Sequence, residues 1–493
     1  NFNFKAFGFE GNGYFIGIHS DYDIRPNFPA RYFSNEILSI KEVSNQQDSL
    51  YWEKSRPVPL THIEQKDYLE KDSISILKKS KPFSDSIDRK HNKPKVGPIF
   101  ISGYVYQISF KQTSIIFEPA IRIFQYNTVE GFASTLKVQF LKDYKNNTFF
   151  RVTPTLRYGF MNNRFNAQVE ALYYYNPMKF SYGAFTIGRY IDQYNGVEPI
   201  HPFLNTVYTL IMGRNFMKLY GKDFIAYKHR IELFNGVMAT ANVEYADRRP
   251  LENFEGHVEN SISSSTFTPN FPENVSINDT RFDRHRALSV GVSLRLRFAQ
   301  KFISRPNQKV IVGNKYPTII LSYKKGIPVF DAYTDYDQVS MNIAHDMDLK
   351  LLGSSKFYIT AGAFARRRSM SFVDFNHFNG NRTLFSNFNN QFQLLDYYLF
   401  STNKSWLQGH YEHHFNGFIF NLIPLVRKLK WQAVTAVNYL KTSELPHYIE
   451  VGAGIEHIFK IGRIDYYTNF IPNAALNTAT IPSRNGVRIG IGF

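Results

Sequence analysis

The sequence predicts an all-β fold, a transmembrane antiparallel β-barrel of about 16 strands preceded by a small β-plus-helix segment. Three observations carry this prediction. Apolar and polar residues alternate over many short segments, Phe and Tyr are abundant, and the chain ends on an alternating stretch that closes with Phe493. Successive side chains of a strand point to opposite faces, so alternation with period two indicates a sheet with one apolar and one polar face.

The composition favours a barrel over helical membrane spans. The 493 residues include 46 Phe and 32 Tyr, and membrane barrels carry aromatic girdles at both interfaces. A helical span needs about 20 consecutive apolar residues, and the best runs, 417–426 and 202–213, are too short. No cysteine is present, which excludes disulfides and cysteine-based metal sites.

The charge balance bears on partners. The formal net charge is +17, which for a barrel suggests a basic lumen or loops that meet acidic lipid headgroups. No compact basic motif with interleaved aromatics is present, so we expect no nucleic-acid partner. Because the chain begins at Asn1 and shows no signal peptide, we expect a leader to precede it, with or without an upstream domain.

Residues 1–97 are predicted to form a periplasmic, β-rich segment with a helix and a linker. Phe2 and Phe4 begin an alternating stretch, and Thr61 and Glu64 have the spacing of a capping box, which predicts that a helix begins there. Pro82 is expected to interrupt that helix near residue 80, and the charged stretch 83–97 is read as the linker.

Residues 98–493 are predicted to form the barrel. The stretch 203–221 is read as a short helix, and 249–285 and 369–403 as long loops. Single-chain bacterial barrels have even strand numbers, so one strand in this set is expected to be wrong. The predicted strands are 98–110, 114–125, 131–143, 147–160, 163–175, 178–190, 223–234, 236–248, 286–300, 316–326, 337–351, 354–368, 404–416, 428–440, 447–460, 462–471 and 484–493.

The last strand carries the first resemblance. Val487, Ile489, Ile491 and Phe493 share one face, opposite Arg488 and two glycines. This stretch resembles the C-terminal strand of bacterial outer-membrane barrels, which closes the barrel against the first strand and is read by the barrel assembly machinery. The alternative is an edge strand of a soluble β-protein, but soluble proteins avoid long apolar edges. The resemblance implies the bacterial outer membrane as location, with its lipid, lipopolysaccharide, the assembly machinery and other envelope proteins as partners.

Four stretches carry a second resemblance: 51–61, 126–132, 215–220 and 374–381. Together they are similar to a family of Bacteroidota outer-membrane proteins whose barrel region is a domain of unknown function. Members of that family usually carry an N-terminal carboxypeptidase-regulatory-like domain. The resemblance implies a location and an architecture, and it implies no activity.

A more distant resemblance is to the Omp85 superfamily, whose barrels insert or translocate proteins and fold a long loop inward before their last five strands. Loop 369–403 likewise precedes five predicted strands, and its Gly380, Arg382 and Phe385 fall loosely on the Omp85 loop pattern. The Arg-Gly pair of that pattern is absent, and Asn438, where an acidic wall partner is expected, is neutral.

From this resemblance we expect loop 369–403 to fold into the lumen and to bury Phe375, Phe378, Phe385 and Phe388. Arg382 would then pair with an inward carboxylate such as Glu412 or Glu456. The alternatives are a loop that lies over the barrel mouth and a loop that packs on a partner protein.

The predicted function is envelope biogenesis or transport, with Omp85-like insertion or translocation as its finer form. The alternatives are a partner-gated or passive transport barrel and a barrel-embedded hydrolase. We expect no enzyme and no cofactor, since no Gly-x-Ser-x-Gly elbow is present. His410, Glu412 and His414 alternate on one strand, but side chains about 7 Å apart along a strand converge poorly on one zinc ion, so we expect no metal site.

Overall fold

Antiparallel strands make up most of the chain in the computed structural model. The structure describes residues 2–6, 9–13, 22–29, 32–45, 47–197, 200–254, 267–443, 447–470 and 484–491. The large sheet closes on itself, so the predicted all-β barrel is confirmed. None of the described helices is both long and apolar enough to span a membrane.

The N-terminal part holds short strands and most of the helices. Its strands are β1 (Phe2–Ala6), β2 (Phe9–Gly13) and β3 (Glu36–Ser39). The described helices are α1 (Ser49–Ser55), α2 (His62–Lys79), α3 (Lys81–His91), α4 (Val96–Ile101) and α5 (Pro202–Met212). The predicted capping box is confirmed: the Thr61 side chain accepts from the backbone of Glu64, and Glu64 accepts from the backbone of Thr61.

The barrel begins at β4 and ends at β24. Its first half comprises β4 (Tyr104–Ile108), β5 (Thr113–Phe117), β6 (Phe124–Asn127), β7 (Gly131–Asp143), β8 (Phe149–Gly159), β9 (Arg164–Asn176), β10 (Ser181–Gln193), β11 (Leu219–Phe234), β12 (Val237–Pro250) and β13 (His285–Arg297). A hairpin of β14 (Lys301–Arg305) and β15 (Gln308–Gly313) follows outside the barrel sheet. The second half comprises β16 (Thr318–Gly326), β17 (Asp335–Asp348), β18 (Ser354–Ser369), β19 (Phe385–Ser386), β20 (Ser405–His414), β21 (Gln432–Thr442), β22 (Tyr448–Ile458), β23 (Gly462–Phe470) and β24 (Asn485–Ile491).

The order of the described ring places β24 beside β4. β5 and β6 both pair with β7 and form two halves of one interrupted strand, and the two-residue β19 belongs to a loop. The wall of the described ring therefore has seventeen strands, close to the predicted number of about sixteen, and each of the seventeen predicted strands has a counterpart, so the expectation that one of them is wrong is not met. The five strands predicted after the long loop are present as β20 to β24.

The two rims of the barrel differ in their connections. One rim, the short-turn rim, has tight connections such as 144–148, 177–180, 235–236, 349–353 and 459–461. The other, the long-loop rim, carries the connections 194–218, 251–284 and 370–404. In outer-membrane barrels the short turns face the periplasm.

The two faces of the wall follow the alternation in the sequence. On β9, Val169 and Tyr173 point outward and are exposed, whereas Asn166 points inward and is buried. Inward-facing charges pair with one another, as Lys222 on β11 does with Asp192 and Glu244, at 2.8 Å from each. An apolar outer face and a polar, ion-paired interior are what a barrel in lipid requires.

The N-terminal segment meets the barrel at the short-turn rim. β3 pairs in parallel with β14, so the hairpin β14–β15 forms a three-stranded sheet with it. Lys309 of that hairpin forms a buried ion pair with Glu232, which is on β11. The side-chain amide of Asn147, on the β7–β8 turn, donates to the carbonyl of Asn307 at 3.3 Å. The hairpin therefore reaches from the β13 end to the turn after β7 on this rim.

Four predicted elements differ from the structure. The predicted strand 98–110 begins only at Tyr104, because α4 precedes it and Gly103 turns the chain with a φ of 87°. The predicted strand 114–125 is interrupted by Pro119, which has no N–H for the ladder, and by a 3-10 turn.

The predicted linker 83–97 is also wrong over most of its length, because α3 occupies Lys81–His91. Pro82 stands in the first turn of that helix, where its missing N–H costs nothing. The predicted helix 203–221 is shorter than expected, since Gly213 adopts a φ of 62° and ends α5.

Candidate functional site: the luminal loop and the last strand

The connection between β18 and β20, residues 370–404, packs against inward-facing residues of the barrel wall, and we call it the luminal loop. It begins with a 3-10 turn in which Ser371 and Asp374 cap each other. Its buried apolar side chains are Phe372, Phe375, Phe378, Phe388, Phe392, Leu394, Leu395, Tyr397, Tyr398 and Phe400. A loop with this many buried aromatics occupies space inside the barrel.

Aromatic contacts join the loop to one side of the wall. The ring of Phe392 lies 4.7 Å from that of His410 on β20 and 6.0 Å from that of Tyr448 on β22. The guanidinium of Arg463, on β23, lies 4.0 Å from the ring centre of Phe388. Wall and loop side chains therefore share one apolar core, which a solvated loop would not have.

Glu450 on β22 is the main polar anchor of the loop. One carboxylate oxygen accepts the backbone N–H of Gln393 at 2.6 Å and the amide of Asn438 at 3.0 Å. The other accepts the backbone N–H of Leu394 at 2.8 Å and the hydroxyl of Tyr448 at 2.6 Å. Glu450 is fully buried, and these four donors offset the cost of burying its charge.

A second anchor lies across the lumen, on β12. The guanidinium of Arg248 lies 2.8 Å from the carboxylate of Asp374, and both side chains are buried. The hydroxyl of Tyr336 donates to the same carboxylate at 3.3 Å. Burial raises the pKa of Asp374, but the nearby charges of Arg248 and Lys324 and the hydrogen bonds it accepts outweigh this and lower it to about 2. The pair is therefore ionised at neutral pH.

The loop also pairs with the last strand of the barrel. β19 lies parallel to β24, with Phe385 beside Ile489 and Ser386 beside Gly490. The backbone N–H of Ile489 donates to the carbonyl of Leu384 at 2.9 Å. A side chain at Gly490 would put its Cβ only 2.2 Å from the carbonyl oxygen of Ser386. Gly490 thus permits a close crossing of loop and strand.

Three side chains reinforce this crossing. Asp396 of the loop pairs with Arg382 at 3.2 Å and also with Arg484, which directly precedes β24. Arg488 on β24 donates to the carbonyl of Gln393 at 2.7 Å. The luminal loop is therefore fastened to the last strand by charge, by side-chain hydrogen bonds and by backbone pairing.

The candidate loop residues from the sequence lie in this region, with different partners from those expected. Gly380 is buried, and a Cβ there would meet the carbonyl of Leu395 at 2.4 Å, so it lets two limbs of the loop pack closely. Phe375, Phe378 and Phe388 are buried as expected, whereas Phe385 is 51% exposed beside β24.

The expected pairing of Arg382 with Glu412 or Glu456 is not found. Glu412 is taken by Arg463 at 2.8 Å and by His414 at 2.6 Å, and Glu456 is taken by His414 at 2.8 Å. Arg382 pairs instead with Asp396, and its guanidinium lies 5.2 Å from the ring centre of Phe216.

Asn438 is neutral, but the acidic group expected near it is present one strand further on. Asn438 is the cross-strand partner of Glu450 in the β21–β22 ladder. It donates to Glu450 and lies 2.8 Å from Nδ1 of His410. Glu450 contacts the loop through backbone N–H groups and not through an arginine.

The predicted barrel-closing residues are described in part. Val487 and Ile491 point outward and are exposed, and Ile489 lies between them on the same face, beside β19. Phe493 lies outside the described residues, so its contacts stay a prediction.

Two further side-chain groups bear on the alternatives. Within the described ranges, no group of three or more His, Asp or Glu is placed to hold a metal ion. Nδ1 of His377 lies 2.8 Å from the hydroxyl of Ser401, which is a serine–histidine pair inside the loop. Ser401 is 2% exposed, so a substrate has no path to its hydroxyl in this conformation.

Three of the four stretches that carried the family resemblance, 126–132, 215–220 and 374–381, converge near the long-loop rim. The amide of Asn215 donates to the hydroxyl of Thr128 at 2.7 Å, which joins two of these stretches. A third, 374–381, supplies Asp374 to the anchor on Arg248 and Asn379 to a 3.3 Å contact with Asn195. These distinctive residues thus hold loops together over the lumen.

Sequence reasoning missed Glu450, Asp396, Arg484 and the crossing at Gly490. Their partners are far away along the chain: Glu450 and Gln393 are 57 positions apart, and Arg484 and Asp396 are 88 apart. The one signal in the sequence is Gly490, a residue without a side chain on the polar face of β24.

The closed ring and its filled lumen define a plugged β-barrel of the bacterial outer-membrane kind. The chain belongs to the family described as "Family of unknown function (DUF5686) C-terminal domain", which matches residues 97–455. The predicted resemblance to a barrel family of unknown function is thereby confirmed. No curated protein matches the chain.

Solved structures of bacterial outer-membrane barrels are similar in fold. BamA from Haemophilus ducreyi lacking POTRA domains 1–3 is 9% identical, with 76% of this chain and 70% of that chain covered and a TM-score of 0.40. CdiB from Acinetobacter baumannii is 11% identical, with 74% and 58% covered and a TM-score of 0.34. A triple mutant of Rhodopseudomonas blastica porin is 8% identical, with 75% and 94% covered and a TM-score of 0.27.

Proposed function

We propose that this chain is a bacterial outer-membrane barrel of envelope biogenesis that handles other envelope proteins by parting its wall between β24 and β4, as Omp85-like insertion or translocation requires. The observation that carries the proposal is the fastening of the luminal loop to β24. A loop that served only to plug the lumen would need no contact with the strand that closes the barrel.

The strands beside the proposed opening are short. β4 has five residues and the described part of β24 has seven, whereas β11 and β18 have 16 each. A short ladder has few hydrogen bonds to break, so this is where the wall opens at the lowest cost. Release of β19 would also free the backbone groups of Ile489 and its neighbours, and a free strand edge is a template for a further strand.

The proposed partners follow from this role. Outer-membrane lipid and lipopolysaccharide surround the wall, the barrel assembly machinery inserts the chain, and other envelope proteins are the clients. The role needs neither a cofactor nor catalysis, and the enclosed position of Ser401 supports it over a barrel-embedded hydrolase.

The proposal is tested by locking the loop to the last strand. The cysteine-free chain allows the pair Phe385→Cys and Ile489→Cys, which are partners between β19 and β24, to be oxidised to a disulfide. The control pair is Leu294→Cys and Leu321→Cys, outward-facing partners on β13 and β16. Each variant replaces the native protein in the source bacterium, and outer-membrane protein levels are measured by quantitative proteomics.

We expect the oxidised 385–489 variant to behave like a deletion, and reductant to restore it, while the control pair behaves as wild type. If the locked variant supports normal outer-membrane protein levels when a deletion does not, release of the loop is not part of the function and the proposal fails.

A partner-gated transport barrel is the second candidate, favoured by a cavity of about 480 Å³ beneath the loop. Lys222, Glu244, Arg248 and Lys324 are among the residues that line it. Conductance in planar bilayers separates the two functions. Transport predicts that removal of residues 376–400 opens a steady ion current and that a partner opens the intact chain, whereas the biogenesis role does not require steady current from the intact chain.

A further inference from the structure

The connection between β20 and β21, residues 415–431, is unusual for the short-turn rim, and we call it the rim segment. Neighbouring connections on this rim, such as 349–353 and 459–461, are tight turns. The rim segment instead holds two 3-10 turns, Phe420–Leu422 and Val426–Leu429. Joining two adjacent antiparallel strands does not require this length, since a few residues suffice.

The rim segment exposes large apolar side chains. Leu422 is 78% exposed and Leu425 is 79% exposed, and Phe418, Ile423 and Leu429 are about half exposed. The segment does not fold back into the lumen, because nearly all of its residues from 421 to 430 are exposed. Apolar residues gathered in this way mark a surface that is covered in the working protein.

Its charges are all positive. Three basic residues flank Leu429, namely Arg427, Lys428 and Lys430, and the stretch 415–431 has no acidic residue. No carboxylate among the described residues pairs with these three cations. A surface that covers the rim segment must therefore offer apolar contacts to its leucines and negative charge to its basic residues.

The tight turns of the neighbouring hairpins show the same mixture. Leu351 is 86% exposed next to Lys350, which pairs with Asp348, and Phe459 is 94% exposed next to Lys460. The strands that carry these turns, β17, β18 and β20 to β23, follow one another around the ring. The rim segment is thus the centre of an apolar and basic arc along one side of this rim.

The arc is continuous with the surface that faces lipid. The outward residues Tyr411 on β20 and Val437 on β21 are exposed on the wall that the rim segment joins. Where such a wall ends, lipid headgroups begin, and segments that combine leucines with lysines and arginines lie in that layer. Continuity with the wall and the lack of acidic residues favour a bilayer surface over a soluble protein as the occupant.

We propose that the rim segment is an interfacial anchor that lies in the headgroup layer of the periplasmic leaflet and binds anionic phospholipid through Arg427, Lys428 and Lys430. The side of the membrane rests on the proposed outer-membrane location, but the lipid contact does not depend on the proposed biogenesis role. The anchor would hold β20 and β21, the strands that directly follow the luminal loop, at a fixed depth in the bilayer.

The absence of native cysteine makes a direct test possible. Leu425→Cys is labelled with an environment-sensitive fluorophore, and Lys145→Cys, an exposed site in the polar turn 144–148 of the same rim, is the matched control. Both proteins are reconstituted in phosphatidylcholine vesicles with and without phosphatidylglycerol. Heat-dependent gel mobility shows that each barrel is folded. Emission wavelength and quenching by nitroxide-bearing lipid report the depth of the label.

The label at residue 425 should show blue-shifted emission and be quenched by lipid nitroxide, more strongly with phosphatidylglycerol, whereas the label at residue 145 stays aqueous. The triple change Arg427→Gln, Lys428→Gln and Lys430→Gln should abolish the effect of phosphatidylglycerol. If the label at 425 is as aqueous as the control in both lipids, the segment is not an anchor and a periplasmic protein is its occupant. Insertion that ignores phosphatidylglycerol overturns the binding of anionic lipid.

Discussion

The carboxylate of Glu450, on the barrel wall, accepts the backbone N–H of Gln393, in the luminal loop, at 2.6 Å. Glu450 is fully buried, and its hydrogen-bond donors are two backbone N–H groups, an amide and a hydroxyl. Because this carboxylate binds backbone N–H groups, it holds the loop in place whatever side chains residues 393 and 394 carry. The wall therefore fixes the path of the loop itself.

The first prediction concerns this anchor. Each carboxylate oxygen of Glu450 accepts two hydrogen bonds. Glu450→Gln replaces one of these oxygens with an NH₂ group, so the two groups that donate to that oxygen lose their acceptor. Each orphaned buried donor costs about 1–3 kcal/mol. We expect faster hydrogen exchange at residues 393 and 394 and cleavage of the loop by added protease, with a barrel that still folds. Glu170→Gln, which removes one half-exposed partner of Arg151, is the control and should leave the loop unchanged.

How far the sequence predicts this structure depends on the range of the interactions. Alternation fixes the inward and outward faces of a strand locally, so the barrel and the five strands after the loop are predictable. The capping box at Thr61 is predictable too, because it depends on two residues that are close in the sequence. The loop contacts are not, because nothing local distinguishes Glu450 from any other inward carboxylate. Arg382 shows the consequence: the sequence predicts a partner for it on the wall, but in the structure it pairs with Asp396 of the same loop.

The second prediction concerns the ion pair on the opposite wall. Asp374→Asn removes the closer of the two carboxylates beside the buried Arg248 and leaves Glu244 at 4.0 Å, and breaking a buried pair of this kind costs about 3–5 kcal/mol. We expect the start of the loop, residues 371–376, to lose hydrogen-exchange protection. The comparison is Asp279→Asn, whose partner Arg281 is exposed, and which should leave the protection of the loop unchanged because water screens an exposed pair. Equal effects of the two substitutions would show that the buried pair does not hold the loop.

The third prediction is a pH dependence. Burial, together with the charge of Lys324, lowers the pKa of His377 to about 3. When the loop detaches, the imidazole regains its ordinary pKa of about 6.5, so the detached loop binds more protons than the packed loop between those values. Attachment is therefore strongest above about pH 6.5 and weakens as the pH falls, by up to about 1.4 kcal/mol per pH unit.

A nitroxide on Asn389→Cys, an exposed loop position, measures this as spin-label mobility. Mobility should rise between pH 6.5 and 4 in the native background and stay flat with His377→Asn. Asp374 does not contribute in that window, because its folded pKa of about 2 lies below its ordinary 3.8 and its stabilisation is complete above the latter. A slope that persists in His377→Asn would assign the effect to another group.

The fourth prediction concerns Phe493, which follows β24 by two positions in the sequence. Deletion of Phe493, or Phe493→Asp, is expected to block assembly, because the terminal aromatic resembles the signal that the assembly machinery reads. Heat-dependent gel mobility of outer-membrane fractions measures assembly. Phe330→Asp, at an exposed position on the long-loop rim, is the control and should assemble. Normal amounts of folded Phe493→Asp barrel would contradict the prediction.

The last prediction concerns the crossing of loop and last strand. In Gly490→Ala, the new Cβ would stand 2.2 Å from the carbonyl oxygen of Ser386, a backbone atom that cannot rotate away. We therefore expect β19 to leave β24, so that the N–H of Ile489 loses its acceptor on Leu384 and exchanges faster. Loss of one such bond corresponds to about 0.5–1.5 kcal/mol. Gly409→Ala is the matched control, since nothing lies within 4 Å of a Cβ there. Unchanged exchange of residues 484–491 in Gly490→Ala would mean that the close contact at Gly490 does not hold β19 to β24, which contradicts the prediction.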